Sequence, residues 1–504
     1  MFQKGEKILV MDYELKVQEH NIVADAINGF LIVAGFAISI FVATSKTARS
    51  GLELYFLVPL TFSICQILFG RILEYSVGGI GIKIFYIIES IRSLLLPVLI
   101  VVSNGEVSAI RMSQVSAEMY LVATVIQCVE IIVWFLTIYY FYPRMLKRQT
   151  EKYNNRGHYK YAGEIHALGA VVIGLFIGVL VLRFNVWMPA LKLFLIKENS
   201  SNTKILLENT MLTCVKIVLL AISAQKTAKY QRHTKKYIMG MLCVVFLLLF
   251  NSLSYFGTNR VFVLENMVAS VLIVWIALPH TRKIITVCVL PVGIALLYTM
   301  LVVKQFNLET ASEFSSSVIS VKSLANTIEE YVNGPWCIAQ SYAASRNLTF
   351  STRSGALFAD IGNGLGGIAD LPIIKSIVSY TNQFHASSAI MKTAFETYDR
   401  GQMLSLSAGL FIPFGILGWI VFPIVNFVLA RLLIYIEIQS KIVNSLMYKY
   451  MYIWMSILLG LSHCYCIETI LFCWSKFIFI YWIILKINDI PVKFGKRHRL
   501  IQGG

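Results

Sequence analysis

Apolar stretches of bilayer length recur along almost the whole chain, and no other feature constrains the fold as strongly. A bilayer core of ~30 Å is crossed by about 20 apolar residues in helical form. Only helices and closed barrels cross it, because every backbone N–H and C=O must find a partner without water. Twelve stretches read as spans: 22–44, 54–69, 84–102, 119–141, 165–182, 205–224, 237–256, 261–278, 284–303, 408–434, 446–461 and 469–485. They are apolar on all sides, whereas the strands of an outer-membrane barrel alternate apolar and polar residues. The expected fold class is therefore an all-α polytopic membrane protein. With 57% of the 504 residues hydrophobic and 14% charged, an ordinary soluble domain is excluded.

The spacing of the spans sets the organisation. Residues 1–21 form an N-terminal segment too charged for a signal peptide (Lys4, Glu6, Lys7, Asp12, Glu14, Lys16, Glu19), so the first span reads as a retained signal-anchor. Nine spans occupy 22–303, a long hydrophilic segment occupies 304–402, three spans occupy 403–485, and 486–504 is a basic tail. Neither a 20–50-residue period nor a pair of matching halves is present.

Charge then orients the spans. Segment 143–160 carries Arg144, Lys147, Arg148, Lys152, Arg156 and Lys160 against one acid, and 224–236 carries Lys226, Lys229, Arg232, Lys235 and Lys236 against none. Short basic loops stay in the cytoplasm, so both termini are expected there and 304–402 outside. SKTARSG, 45–51, has two basic residues on the outer side of that arrangement, which makes the first hairpin the exception. The formal net charge of +17 divides into −1 for 304–402 and +18 for the rest. That division matches positive-inside sorting and leaves no exposed basic domain for a nucleic-acid backbone.

Several polar residues stand out against this apolar background. In SYFGTNRVFVLEN, 254–266, Arg260 opens the eighth span, where free N–H groups and the helix dipole favour an anion. Snorkelling to lipid headgroups would also justify an arginine there. Glu265 lies a turn and more deeper and reads as the structural partner of a cation on a neighbouring helix. Glu89 and Arg92 share a helix face and form an expected intrahelical ion pair, and Glu130 and Lys216 could pair across helices. HCYC, 463–466, has metal-ligand residue types but no second ligand cluster at a recognisable spacing. The other cysteines lie mostly inside apolar runs as small hydrophobes.

Within 304–402, EEYVNGPWCIAQSYAASRN places Tyr331, Trp336 and Tyr342 around a Gly-Pro turn and ends in Arg346. Aromatic faces stack on sugar rings, and arginine binds phosphate in bidentate fashion; a loop packing its own small core would use the same aromatics. Arg353 opens a glycine-rich stretch that is expected to turn tightly. YTNQFHASSAIMKTAFETYDRGQ, 380–402, brings His385, Glu396, Asp399 and Arg400 close to the membrane re-entry. The tenth span contains Pro413, Gly415 and Gly418, which predict a kink or partial unwinding.

The arrangement resembles the bacterial Wzy-type oligosaccharide repeat-unit (O-antigen or capsule) polymerases, relatives of the O-antigen ligases. The likeness rests on the many spans with both ends inside, on GTNRVFVLENMV, on YVNGPW in one large extracytoplasmic loop, and on FHASSAI leading to GILGW. The R-x10-G pattern of that family is met at Arg353–Gly364. Where the ligases have a glycine-serine-arginine turn, this chain has Gly257-Thr258-Asn259-Arg260, and His385 stands in place of a richer histidine motif.

The resemblance implies a GT-C-like architecture in the bacterial plasma membrane and a metal-independent glycosyltransferase with no cofactor. Its substrate would be an undecaprenyl-diphosphate-linked oligosaccharide, and its partners membrane lipids and a chain-length regulator. It implies Arg260 and His385 at the reaction centre with Glu396 and Asp399 as competing bases. Arg346, Arg353, Arg400, Tyr331, Trp336 and Tyr342 would bind substrate. A flippase for the same lipid-linked sugars and a ligase are the alternatives; a flippase has little use for a long external segment and is commonly built from repeats.

Overall fold

The computed structural model describes residues 22–45, 50–70, 79–105, 115–155, 167–182, 203–233, 238–253, 260–283 with 285, 287 and 291, 321–369, 371–394, 404–443 and 445–490. Regular structure among them is helical throughout, with no strand. In chain order the helices are α1 (Ile22–Thr44), α2 (Leu57–Phe69), α3 (Ile80–Val102), α4 (Ala117–Asn155), α5 (Ala167–Leu182), α6 (Thr203–His233), α7 (Ile238–Leu253) and α8 (Arg260–Ala277). There follow α9 (Val321–Val332), α10 (Pro335–Ser345), α11 (Phe350–Gly364), α12 (Pro372–Thr381), α13 (Ser387–Ala394), α14 (Leu406–Ile442), α15 (Leu446–Gly460) and α16 (Ile467–Asn488).

Six of these elements are long and apolar enough to cross a membrane: α1, α3, Ala117–Glu151 of α4, Met211–Ala228 of α6, α14 and α16. The chain is thus a multi-pass helical membrane protein. Leu57–Phe69, Gly169–Gly178, Ile238–Asn251 and Glu265–Ala277 are apolar but shorter. At ~1.5 Å per residue a 13-residue helix such as α2 covers about 20 Å. Most of the expected ninth span, 284–303, lies outside the described residues.

Three spans are irregular: α16 has a π-helical turn at Trp474–Ile478, and α3 and α14 depart at more informative places. α3 widens into a π-helical turn at Ile91–Leu95, which carries Arg92; such bulges are frequent at functional sites. α14 runs as Leu406–Gly409 and Phe411–Phe414, bends at Gly415, and resumes as Gly418–Ile442. Gly415 has φ +58°, a left-handed conformation that other residues adopt at a cost. The bend folds the first part back along the second, so that Ser407 Oγ accepts from Asn426 Nδ2 at 2.8 Å.

The core falls into two main parts. One joins α2, α3, α4 and α14, with Phe85 stacked on Trp134 at 4.9 Å. The other joins α5, α6, α8, α15 and α16 around Trp454, Phe477 and Tyr481. The described part of the expected external segment is not a separate layer on these helices. Trp336, Cys337, Ile338 and Ala339 of α10 belong to the same core as Phe62, Phe85 and Trp134. The composition of α10, PWCIAQSYAAS, explains this: it has no charge, and its Ala, Ser and Cys residues let a helix lie close between spans.

Candidate functional site

The described part of the protein has its densest group of buried charge where α3, α4, α10, α14 and the α15–α16 turn meet. Arg92 is fully buried, and its Nη2 lies 2.6 Å from Glu130 Oε2 and its Nη1 3.7 Å from Glu89 Oε2. Its Nε donates to the carbonyl of Asn333 at 3.1 Å. Ser93 Oγ donates to Glu89 at 2.7 Å, and Ser407 Oγ donates to Glu130. His463 stands between the two carboxylates, with Nε2 4.0 Å from Glu89 and Nδ1 3.9 Å from Glu130. Phe85 and Trp134 wall the imidazole, ring centres 5.3 and 4.9 Å away.

Two asparagine amides fix these groups. Trp134 Nε1 donates to Asn426 Oδ1 at 2.8 Å, so Asn426 turns its amide nitrogen toward Ser407. Asn333 Nδ2 donates to the carbonyl of His463 at 2.9 Å. Asn333 itself has φ +50°, a conformation asparagine tolerates better than most side chains. Its backbone and side chain thus bind α3 and the α15–α16 turn at once. Glu329 closes the turn by accepting the Cys337 N–H at 2.8 Å. Charges taken out of water are tolerated when paired and hydrogen-bonded in this way.

The expected ion pair Glu89–Arg92 is present, and Arg92 recruits a further carboxylate. Glu130 turns to Arg92 and Ser407, and Lys216 has its ammonium 5.8 Å from the Phe250 ring instead. His463 supplies an imidazole to the cluster. Burial pushes the Cys464 thiol up to about 12 and the Cys466 thiol up to about 11, away from the thiolate a metal would need. Among the described residues no group of three His, Cys, Asp or Glu is arranged to hold a metal ion.

The sequence-predicted substrate residues separate into three settings. Trp336 is 2% exposed and packs in the core, while Tyr331 is exposed on α9. Tyr342 packs edge-on against Phe411 at 5.0 Å. Arg346 is exposed and pairs with Glu118 at 3.2 Å. Arg353 spends four N–H bonds on backbone carbonyls: Ser345 at 2.7 Å, Phe411 at 2.9 Å, Leu348 at 3.2 Å and Ile412 at 3.3 Å. It therefore straps the end of α10 to the bend of α14. A Cβ on Gly415 would sit 2.7 Å from its Nη1, a second reason for glycine there.

His385 is exposed just before α13. Nearby, Asp360 accepts the Ser387 N–H at 2.8 Å and its hydroxyl at 2.5 Å, which caps α13. Burial pushes the Asp360 carboxyl up to about 6, and the two Ser387 bonds oppose that rise. Glu468 accepts from Asn363 and Ser388 at 2.9 and 3.1 Å. Arg260 opens α8, and its side chain is outside the described residues, as are Glu396, Asp399 and Arg400 altogether. Glu265 is buried and accepts from Tyr465 OH at 3.3 Å.

The residues that sequence reasoning left aside are Asn333, Glu329, Ser407 and Asn426. Asn333, Ser407 and Asn426 are polar residues with little local signal, and the joining of distant segments gives them their partners, whereas Glu329 bonds within its own turn. Comparison with protein-family models, with curated proteins and with solved structures found no match to this chain.

Proposed function

We propose that the chain polymerises undecaprenyl-diphosphate-linked oligosaccharide repeat units at the outer face of the bacterial plasma membrane, through twelve spans with both termini cytoplasmic. The observation that supports it most is the union of the 321–394 helices with the spans around buried Arg92. Chemistry on a lipid-linked glycan needs polar groups positioned within the membrane domain and a soluble-facing surface for sugars. Here the two belong to one packed body, tied at Asn333 and Arg353.

In this reading a hydroxyl of the acceptor repeat unit attacks the anomeric carbon of the donor. The bond from that carbon to the diphosphate oxygen breaks, and the lipid diphosphate leaves with the bonding electrons. The hydroxyl proton passes to a base, for which His385, Glu396 and Asp399 compete. Arg260 at the N-terminus of α8 stabilises the departing diphosphate, aided by the free N–H groups of that helix end. Arg346 and Arg400 assist on the outer surface. Arg353, with four N–H groups on carbonyls, contributes by positioning.

Purified protein in lipid vesicles, given lipid-linked repeat units and a chelator, is expected to lengthen them into a ladder. Arg260→Ala should abolish the ladder while the protein stays folded; an undiminished ladder would remove Arg260 from the reaction. The fold-back of α14 favours a second reading, since broken helices carry the binding sites of many transporters. Movement of the unaltered substrate between leaflets, without lengthening, would establish that reading instead.

A further inference from the structure

The second helical pair of the 321–394 region, α11 and α12, is joined by the short turn Gly366–Ile368, and its contacts with α16 fix where that turn lies. A Cβ on Gly364 would sit 2.7 Å from the Cβ of Leu471, and Ser475 Oγ donates to the Gly364 carbonyl at 2.7 Å. A Cβ on Gly367 would sit 2.3 Å from the backbone nitrogen of Lys476. Leu471, Ser475 and Lys476 lie four, eight and nine residues into α16, or roughly 6 to 14 Å along it. The other end of α11 is anchored at the opposite extreme, where Arg353 binds the carbonyls beside the Gly415 bend of α14.

We infer that α11, the turn and α12 form a re-entrant hairpin that enters the bilayer beside α16, with the exposed apolar face of α12 against lipid acyl chains. The chain comes back to α11 at the far end of α12, where Thr381 packs on Gly362 and Phe384, just past the helix, packs on Gly355. Non-helical backbone at this depth must be satisfied by protein, and N–H groups of the described turn residues are paired within it. Leu365 N–H bonds to the carbonyls of Ile361 and Gly362, Ile368 N–H to that of Leu365, and Leu371 N–H to that of Ile368.

The surface of the hairpin points to the same occupant. Ile373, Ile377 and Tyr380 are 80%, 41% and 57% exposed and lie on one stripe of α12, with Phe358 and Ile361 exposed on α11. A water-facing domain rarely leaves so continuous an apolar face bare. Lys375, Ser376 and Ser379 form a polar stripe on the other side of α12; a lysine stem long enough to snorkel suits a helix that borders lipid on one side and water on the other. The placement does not depend on which reaction the chain performs.

Nitroxide labels on Ile373→Cys and Ile377→Cys, carried by the full chain in lipid vesicles, test it. Collisions with dissolved oxygen, which concentrates in lipid, are compared with those of a water-soluble nickel chelate, after subtracting the signal of the labelled unmodified protein. Both labels are expected to meet oxygen several-fold more readily than the chelate, like a reference label on Phe30→Cys of α1 and unlike one on Glu118→Cys. Ready access of the chelate would put the hairpin in water and overturn the inference. Protection from both reagents would mean that protein covers the face, and would overturn it equally. Ile373→Lys gives an independent reading: the yield of folded protein should fall, and an unchanged yield would count against burial in lipid.

Discussion

Two helical pairs from one stretch of chain have taken opposite environments. α9 and α10 meet at Asn333, and nine of the eleven residues of α10 are buried. In α12 only Thr381 is buried among the residues whose exposure is described. The first pair is held by hydrogen bonds to the buried cluster, with Arg92 donating to the Asn333 carbonyl and the Asn333 side chain donating to the His463 backbone carbonyl. The second is held by close approach, with Gly364 and Gly367 against α16. The difference teaches that apolar content alone did not decide which pair was enclosed. α10 could be enclosed because it carries small residues and no charge, whereas α12 keeps Lys375 and a polar stripe.

The contrast can be broken in order of effect. Arg92→Ala leaves Glu89 and Glu130 buried beside each other without their cation and should cost about 3–5 kcal/mol. Thermal unfolding in detergent would show it, and an unshifted midpoint would mean that the buried cluster does not hold the first pair. Gly367→Val forces a side chain into the backbone of Lys476 and should cost about 1–3 kcal/mol by the same measurement. If the valine is accepted without loss, close approach is not what fixes the second pair. Arg353→Gln keeps a donor but too few for four carbonyls and should cost about 2 kcal/mol. In the proposed reaction, a positioning role for Arg353 predicts a larger effect of this variant on turnover than on substrate binding.

The smallest effect concerns pH. The folded state raises the Asp360 carboxyl to about 6 from an ordinary value of 3.8, so it favours the protonated form. That contribution is complete below about 4 and is lost as pH rises through about 6. Asp360→Asn should therefore flatten the decline in stability over that interval. An identical pH profile in the variant would show that Asp360 is not the group responsible.

The apolar runs announced the spans because a bilayer demands length and composition, and both are visible in one dimension. Glu89 and Arg92 were visible as a pair because helix geometry places residues three apart on one face. Glu130 and His463 could not be read as their partners, since no local rule relates α4 or the α15–α16 turn to α3. The insertion of α10 was equally hidden: VNGPWCIAQSYAAS suits an external sugar-binding loop and an enclosed helix alike. Arg353 was visible as a phosphate ligand only by its residue type. Its use as a strap depends on the free carbonyls of a helix bend 58 residues away.

The cluster at Arg92 also imposes an order of assembly. Ribosomal synthesis delivers Glu89, Arg92 and Glu130 first, Asn333 some two hundred residues later, and His463 a further 130 residues on. Through most of translation the arginine and its two carboxylates must be accommodated by the insertion machinery without the polar residues that later enclose them. The cluster is therefore completed only when the α15–α16 turn is in place, long after its first charged members have entered the membrane.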